Sequence, residues 1–309
     1  MNLIISHNNC PDGWCAAYVA KKRYPEAEIM LLNHGLDEGN IAAIIAACSN
    51  ADVLMLDYSL RTRELNDQLN SVAKSFRILD HHKTAQAALD GAPYATFDMK
   101  RSGVGLAWDY LFGENSPEAC YDQGTSWEPR PWWVNYTEDQ DLWNWALPDS
   151  HVINAYLMVQ PRTVETWDRI THPFKMDEMK AKEKGEGVRQ YIEYYTRCVV
   201  AEAQVGVYSG HRVAVLNIPY AGVSEAGTAL AVAGFDVVFL WFENHEGKML
   251  FSLRSNRDGK NVDVSEIAKS YGGGGHRNAA GFQMGIYAGR QLVDQILNRG
   301  TYGTVNRCS

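Results

Sequence analysis

A chain of 309 residues, 46% hydrophobic and 21% charged, is long enough for two domains and lacks the bias of a disordered, fibrous or disulfide-stapled protein. Its formal charge of −8 is acidic over residues 1–209 and mildly basic beyond them, which argues against a protein that coats long duplexes through a broad basic face. No run approaches the ~20 apolar residues that span a bilayer, the longest being "IAAIIAAC".

In chain order, "NLIIS" (2–6) reads as a short buried strand ending at His7, and "WCAAYVAKKRY" (14–24) as a helix with a basic face. "AEIMLLN" is a second strand, "NIAAIIAAC" a second helix and "ADVLMLD" (51–57) a third strand. "RTRELNDQLNSVAK" is a third helix and "FRIL" (76–79) a fourth strand. This alternation with short connections predicts a parallel sheet covered by helices on both faces. Residues 92–160 read as helices and loops and include "SWEPRPWWVNYTEDQDLWNWALPDS", with five of the nine tryptophans.

A long charged helix is expected over residues 175–205, broken at Gly185 and Gly187, and the domain boundary falls within or just after it. "HRVAVLNI", "DVVFLWFEN" and "KMLFSLRSN" then read as strands, the last two as a hairpin, and "VDVSEIAKSY" as a helix. "YGGGGHRNAAGF" runs from a glycine loop into a new element. The expected fold class is α/β: a parallel-sheet metal-binding domain (1–190), a linker helix (191–207) and a smaller α/β domain (208–309) across a cleft.

Three of the N-terminal strands end on chemically useful side chains: His7 and Asp12, then Asp57, then Asp80-His81-His82. Ligands of parallel sheets gather beyond the carboxyl ends of the strands. Adjacent ionisable groups there need partners, because burying them unpaired is costly. His and Asp ligands without a thiolate cluster favour Mn²⁺ or Mg²⁺. Several carboxylates at one edge suffice for two ions with one Asp bridging, an arrangement that serves phosphoryl displacement without a Ser or Cys nucleophile. Consistently, "SGVGLAW" lacks a nucleophile-elbow pattern and no Lys sits in a Walker motif.

The run Gly272 to Gly275, followed by His276 and Arg277, has its own chemistry: glycine backbones approach an anion closely, and the two side chains add charge-assisted donors. Arg254, ending the strand "MLFSLRS", is a second candidate phosphate clamp. The plainer alternative is a flexible linker.

These motifs resemble the DHH phosphoesterases that carry a DHH-associated C-terminal domain, a family that includes RecJ-type exonucleases, oligoribonucleases and cyclic-dinucleotide phosphodiesterases. "SHNNCPDG", "LMLDYS", "LDHH" and "TEDQDLW" are similar to the four metal motifs in order, and "GGGGHRNAAGF" with "SLRS" to the associated domain. The resemblance implies His7, Asp12, Asp57, His81 and Asp139 as metal ligands, with Asp57 bridging and Asp139 preferred over Asp141. It implies Asp80 as a neighbouring carboxylate and His82 as the group that faces the phosphate or protonates the leaving oxygen. Arg254, Gly273, Gly274, Gly275, His276 and Arg277 would hold substrate phosphates. One departure stands out: many members have two aspartates one residue apart in the first motif, whereas here the residue two before Asp12 is Cys10 and the residue two after it is Trp14.

The expected activity is a metal-dependent phosphodiesterase, a hydrolase with two Mn²⁺ or Mg²⁺ ions, that degrades short single-stranded oligonucleotides to mononucleotides as an exonuclease or oligoribonuclease does. A short substrate needs few phosphate contacts and so suits an acidic chain. Alternatives are a cyclic mono- or dinucleotide or adenosine bisphosphate as substrate, or a catalytically silent nucleotide-binding protein. Trp132, Trp133, Trp143 and Trp145 are expected mainly in packing, with at most one stacking on a base; Tyr191, Tyr194 and Tyr195 are expected to pack. The N-terminus has no basic segment before its apolar run, and the six cysteines show no Cys-x-x-Cys pair. A cytoplasmic protein with free thiols and no membrane partner is expected.

Overall fold

The alternating apolar and amphipathic runs fold as a parallel sheet in the computed structural model, which describes residues 1–8, 10–33, 36–113, 130–172, 175–256, 258 and 260–298. The strands β1 (Leu3–His7), β2 (Glu28–Leu32), β3 (Asp52–Leu56), β4 (Ser75–Asp80) and β5 (Ala95–Phe97) lie in the order β2-β1-β3-β4-β5, every pairing parallel. The helices α1 (Pro11–Arg23), α2 (Glu38–Cys48), α3 (Arg63–Val72) and α4 (Lys83–Ala88) connect them in turn. After β5 come α5 (Gly103–Phe112), α6 (Trp132–Asp141), α7 (Ser150–Met158) and α8 (Val164–Ile170).

Because strand side chains alternate, each strand feeds both faces. Ile4, Leu54, Leu56 and Leu79 pack under α1, α5, α6 and α7 together with Tyr18, Trp133 and Trp167. Leu3, Ile5, Val53, Met55 and Ile78 pack on the opposite face with Ile44 and Leu69 of α2 and α3. Trp14, Trp133 and Trp167 are therefore core residues. Trp127, Cys120 and Cys308 lie outside the described residues; Cys10, Cys15, Cys48 and Cys198 are free thiols.

The charged helix α9 (Glu178–Val200) runs unbroken through Gly185 and Gly187, contrary to the expected break. The chain divides into two units at residue 189, inside α9. The expected linker helix to residue 207 stops at Val200, and Gln204–Tyr208 form the strand β6. Alternation in "QVGVY" explains this, since it lets Gly206 and its neighbours pair with the next strand.

The second unit is a mixed sheet of β6, β7 (His211–Asn217), β8 (Val237–Glu243), β9 (Lys248–Arg254), β10 (Gly274–His276) and β11 (Ala279–Gly285). Their order is β10-β11-β9-β8-β7-β6, antiparallel except for β7 with β8. The helix α10 (Val223–Val232) covers one face, where Tyr195 of α9 also packs. On the other face α11 (Val264–Ser270) and α12 (Ile286–Asn298) enclose Val213, Phe239, Phe251 and Leu253. Tyr191 and Tyr194 are exposed, so only Tyr195 of that trio meets the packing expectation. No helix among the described residues is long and apolar enough to cross a membrane.

Candidate metal centre

The strand order itself opens the site. The chain leaves β1 toward β2 on one side and enters β3 on the other, so the carboxyl ends of β1 and β3 flank a topological switch point. His7 is the last residue of β1, and Asp57 follows β3 directly. Asp80 ends β4 and is followed by His81 and His82. Asp12 lies in the first turn of α1, and Asp141 ends α6. Asp57 adopts the left-handed conformation (φ 51°), uncommon outside glycine and found disproportionately at functional sites.

These side chains converge. Asp57 Oδ1 lies 3.1 Å from His81 Nε2, and Asp57 Oδ2 lies 4.0 Å from His7 Nδ1. His81 Nε2 is also 3.4 Å from Asp141 Oδ2 and 3.7 Å from Asp12 Oδ2. Within the first unit, three groups result whose ligand atoms lie within 4.8 Å of one another: His7, Cys10 and Asp57; Asp12, Asp57 and His81; Asp57, Asp80 and His82. Asp57 belongs to all three. Asp12, Asp57 and Asp80 are each 1% exposed, a cost that neutral surroundings do not offset.

Burial, reinforced by Asp141 and Asp57, holds the Asp12 carboxyl well above its usual range. Asp141 is raised as well, first by burial and then by Asp57, against the lowering effect of His81. Burial would raise Asp57 too, but the hydrogen bond with His81 and the charges of His82, His81 and His7 hold it below the usual range. Burial would lower His81, yet Asp141, Asp57 and Asp12 raise it. Asp57 Oδ2 and Asp141 Oδ2 are buried without a hydrogen-bond partner among the described residues. Crowded carboxylates with orphaned oxygens, facing imidazoles, fit divalent cations, which would pair those oxygens and relieve the repulsion.

The centre is braced from behind. Asp12 accepts hydrogen bonds from Gly103 N (2.5 Å) and Val104 N (2.9 Å) at the N-terminus of α5, which favours a carboxylate there. A side chain on Gly103 would run into Asp57 Cβ, so only glycine permits this approach. Glu138 accepts from Arg101 Nη1 (2.6 Å), Arg130 Nη1 (2.8 Å) and Ser102 N (3.2 Å), tying α6 to the start of α5. Asp80 accepts from His81 N (2.7 Å), Ser59 Oγ (3.0 Å) and His82 Nδ1 (2.6 Å). Sequence reasoning missed Gly103, Glu138 and Ser59. The available signal was Ser102 followed by two glycines before an apolar helix, an N-cap signature read only for what it lacked.

The structure places Asp139 and Asp141 differently. The Asp139 carboxylate accepts from Ala146 N (2.9 Å) and Leu147 N (3.3 Å), folding the loop after α6. Asp141, one half-turn further along the end of α6, is the residue that reaches His81. His7, Asp12, Asp57 and His81 are brought together at this sheet edge. Cys10, at the N-cap of α1, joins His7 and Asp57.

In the second unit the glycine run passes from a turn at Gly272 into an edge strand at Gly274. Gly274, Gly275 and His276 pair with Gly281, Ala280 and Ala279. Gly275 has φ 138°, and added Cβ atoms at Gly273 or Gly275 would strike β11, so packing alone requires glycine at both. Arg277 is an exposed brace, donating to Asn261 O (3.0 Å) and facing Asp263 (3.4 Å). Arg254 and His276 both lie opposite Ala279, in one row across β9, β11 and β10. Directly opposed residues project from the same face, so these two flank a small residue there. Arg254 also donates to Ser224 Oγ at 3.2 Å.

The comparisons agree with this architecture. Residues 220–298 match the DHHA1 domain. The fold resembles RecJ of Thermus thermophilus crystallised with Mn²⁺, at a TM-score of 0.53 and 16% identity over 98% of this chain and 53% of that one. It also resembles an exopolyphosphatase-related protein from Bacteroides fragilis, at a TM-score of 0.52 and 13% identity over 96% of this chain and 91% of the other. An uncharacterized protein of Acanthamoeba polyphaga mimivirus is 27% identical over 99% of this chain and 75% of its own length. The class is thus a two-unit α/β protein with its polar centre at a parallel-sheet switch point. Within that class, residues 220–298 are similar to the DHHA1 domain, and the fold of the chain is similar to that of RecJ.

Proposed function

We propose that this chain is a phosphodiesterase that removes mononucleotides from short single-stranded oligonucleotides. The observation that carries the reading is the convergence of three ligand groups on one buried aspartate with an orphaned oxygen, Asp57 Oδ2. His7, Cys10, Asp12, Asp57, His81 and Asp141 would hold two divalent ions, Mn²⁺ or Mg²⁺ in at least one position. Such ions supply Lewis-acid neutralisation of charge on a phosphodiester.

The side chains then divide the work. Asp57 serves both positions. Asp80 accepts from His82 Nδ1 and fixes that ring; burial would lower the His82 pKa, but Asp80 holds it up to about 9. Asp80 thereby favours the protonated ring in the ion-free protein and leaves Nε2 as the nitrogen suited to deliver a proton to the departing oxygen. The DHHA1 unit supplies phosphate-binding residues in Arg254 and His276, with the Gly273 to Gly275 backbone beside them. Arg277 is left to brace the loop.

The test is a time course on end-labelled short RNA and DNA oligomers with Mn²⁺, Mg²⁺ or EDTA. A metal-dependent ladder supports the proposal. Turnover of cyclic dinucleotides or adenosine bisphosphate alone would reassign the substrate and keep the chemistry. Nucleotide binding without turnover in any metal would overturn the enzymatic reading.

A further inference from the structure

The two halves of the centre differ in donor chemistry. Asp12, Asp57, His81 and Asp141 offer oxygen and nitrogen only. His7, Cys10 and Asp57 offer one imidazole nitrogen, one thiol sulfur and one carboxylate oxygen, all within 4.8 Å of one another. The two oxygens of Asp57 divide between these halves: Oδ1 lies 3.1 Å from His81, whereas Oδ2 lies on the His7 side, buried and unpaired among the described residues. An unpaired carboxylate oxygen in a residue 1% exposed, beside a sulfur, marks a position for a cation and not for a solvated thiol.

From this we infer that Cys10 is a thiolate metal ligand. On that basis the His7–Cys10–Asp57 position takes a borderline ion such as Zn²⁺, Co²⁺ or Fe²⁺, while the carboxylate-rich position keeps a hard ion such as Mn²⁺ or Mg²⁺. The thiol proton passes to solvent as the sulfur binds. The inference rests on the metal-centre reading above and adds that the centre is chemically asymmetric.

Cobalt separates the two claims. Protein stripped with EDTA and kept reduced by a phosphine is titrated anaerobically with Co²⁺. Visible bands report any bound cobalt, and a near-ultraviolet charge-transfer band reports a cobalt–thiolate bond. The expected result is both signals in the parent chain, loss of the ultraviolet band alone in Cys10→Ser, and no change in Cys198→Ser, which alters an exposed thiol. Visible bands without the ultraviolet band in the parent, or an ultraviolet band that survives Cys10→Ser, would overturn the Cys10 assignment and leave the metal centre standing. Absence of every cobalt band would overturn the centre itself. Cys10→Asp gives a second readout: after equilibration with equal Zn²⁺ and Mn²⁺, its Zn:Mn content should fall relative to the parent, and an unchanged ratio counts against the thiolate.

Discussion

The carboxyl edge of the first sheet and the glycine hairpin of the second are equally conspicuous in sequence, yet they meet their physical demands in opposite ways. At the first, buried carboxylates crowd together and leave Asp57 Oδ2 and Asp141 Oδ2 without a hydrogen-bond partner among the described residues. At the second, the fold itself accounts for most of the motif: Gly273 and Gly275 make room for β11, Arg277 holds Asn261, and Asn278 donates to Ser255 Oγ (2.9 Å) and Asn261 Oδ1 (2.9 Å). A motif whose polar atoms the protein satisfies is explained by folding. One whose atoms stay unsatisfied points to something bound.

The largest effect that sharpens this contrast is expected at Asp57. Asp57→Ala removes the one residue common to all three ligand groups. Turnover should fall by about 10³-fold or more, because several kcal/mol of charge stabilisation go with the ions. Metal content measured by mass spectrometry should fall with it, while circular dichroism stays that of the parent. Retention of full activity and both ions would remove Asp57 as the bridge.

Next in size is the contest between Asp141 and Asp139. Asp141→Asn should lower activity by about 10²-fold and weaken metal binding, since one ligand oxygen becomes an amide. Asp139→Asn should keep its ions and instead lower the unfolding free energy measured by denaturant titration by about 1–2 kcal/mol, having lost good acceptors for Ala146 N and Leu147 N. The reverse pattern would restore the sequence-based assignment.

That assignment shows where the sequence was legible. Strand ends are fixed by apolar runs, so His7, Asp57, Asp80 and His81 were placed correctly from "NLIIS", "ADVLMLD" and "FRIL". Asp139 and Asp141 belong to the last turn of a helix, where direction depends on how α6 packs and ends. Two residues on a helix point about 200° apart, and no run of apolar residues reveals which one faces inward. The brace from α5 was hidden for a related reason: Gly103 and Val104 act through backbone N–H groups, which carry no residue-type signature. The glycine run was legible as a loop leading into a new element, but not as to where the strand begins, because glycines suppress strand propensity while pairing with β11 overrides it from Gly274 onward.

A smaller effect separates the arginines of the second unit. Arg254→Gln should raise KM by about tenfold, the scale of one charge-assisted phosphate contact, with kcat changed little. Arg277→Gln should alter KM by less than about twofold, because its guanidinium is already engaged by Asn261 and Asp263. Equal effects would show that the hairpin binds substrate as a whole and that the fold accounts for less of it than its hydrogen bonds suggest.

The smallest effect tests the first edge without any ion. Burial would lower the His82 pKa, but Asp80 chiefly, and then Asp57, raise it from 6.5 to about 9, with His81 opposing. A histidine whose folded pKa exceeds its unfolded value stabilises the fold fully below the unfolded pKa and loses that contribution as pH rises through the folded one. In EDTA, therefore, the melting temperature should decline between pH 6.5 and about 9, on the scale of about 2–4 °C for each kcal/mol lost. Asp12 and Asp141, both raised carboxyls, push in the same direction: each ionises at lower pH in the unfolded chain than in the folded one, so rising pH favours unfolding. Asp80→Asn should flatten the His82 part of that slope and leave the carboxyl part. A slope unchanged by Asp80→Asn would mean that the short His82–Asp80 contact does not hold in solution, and with it would go the case for His82 as a protonated acid.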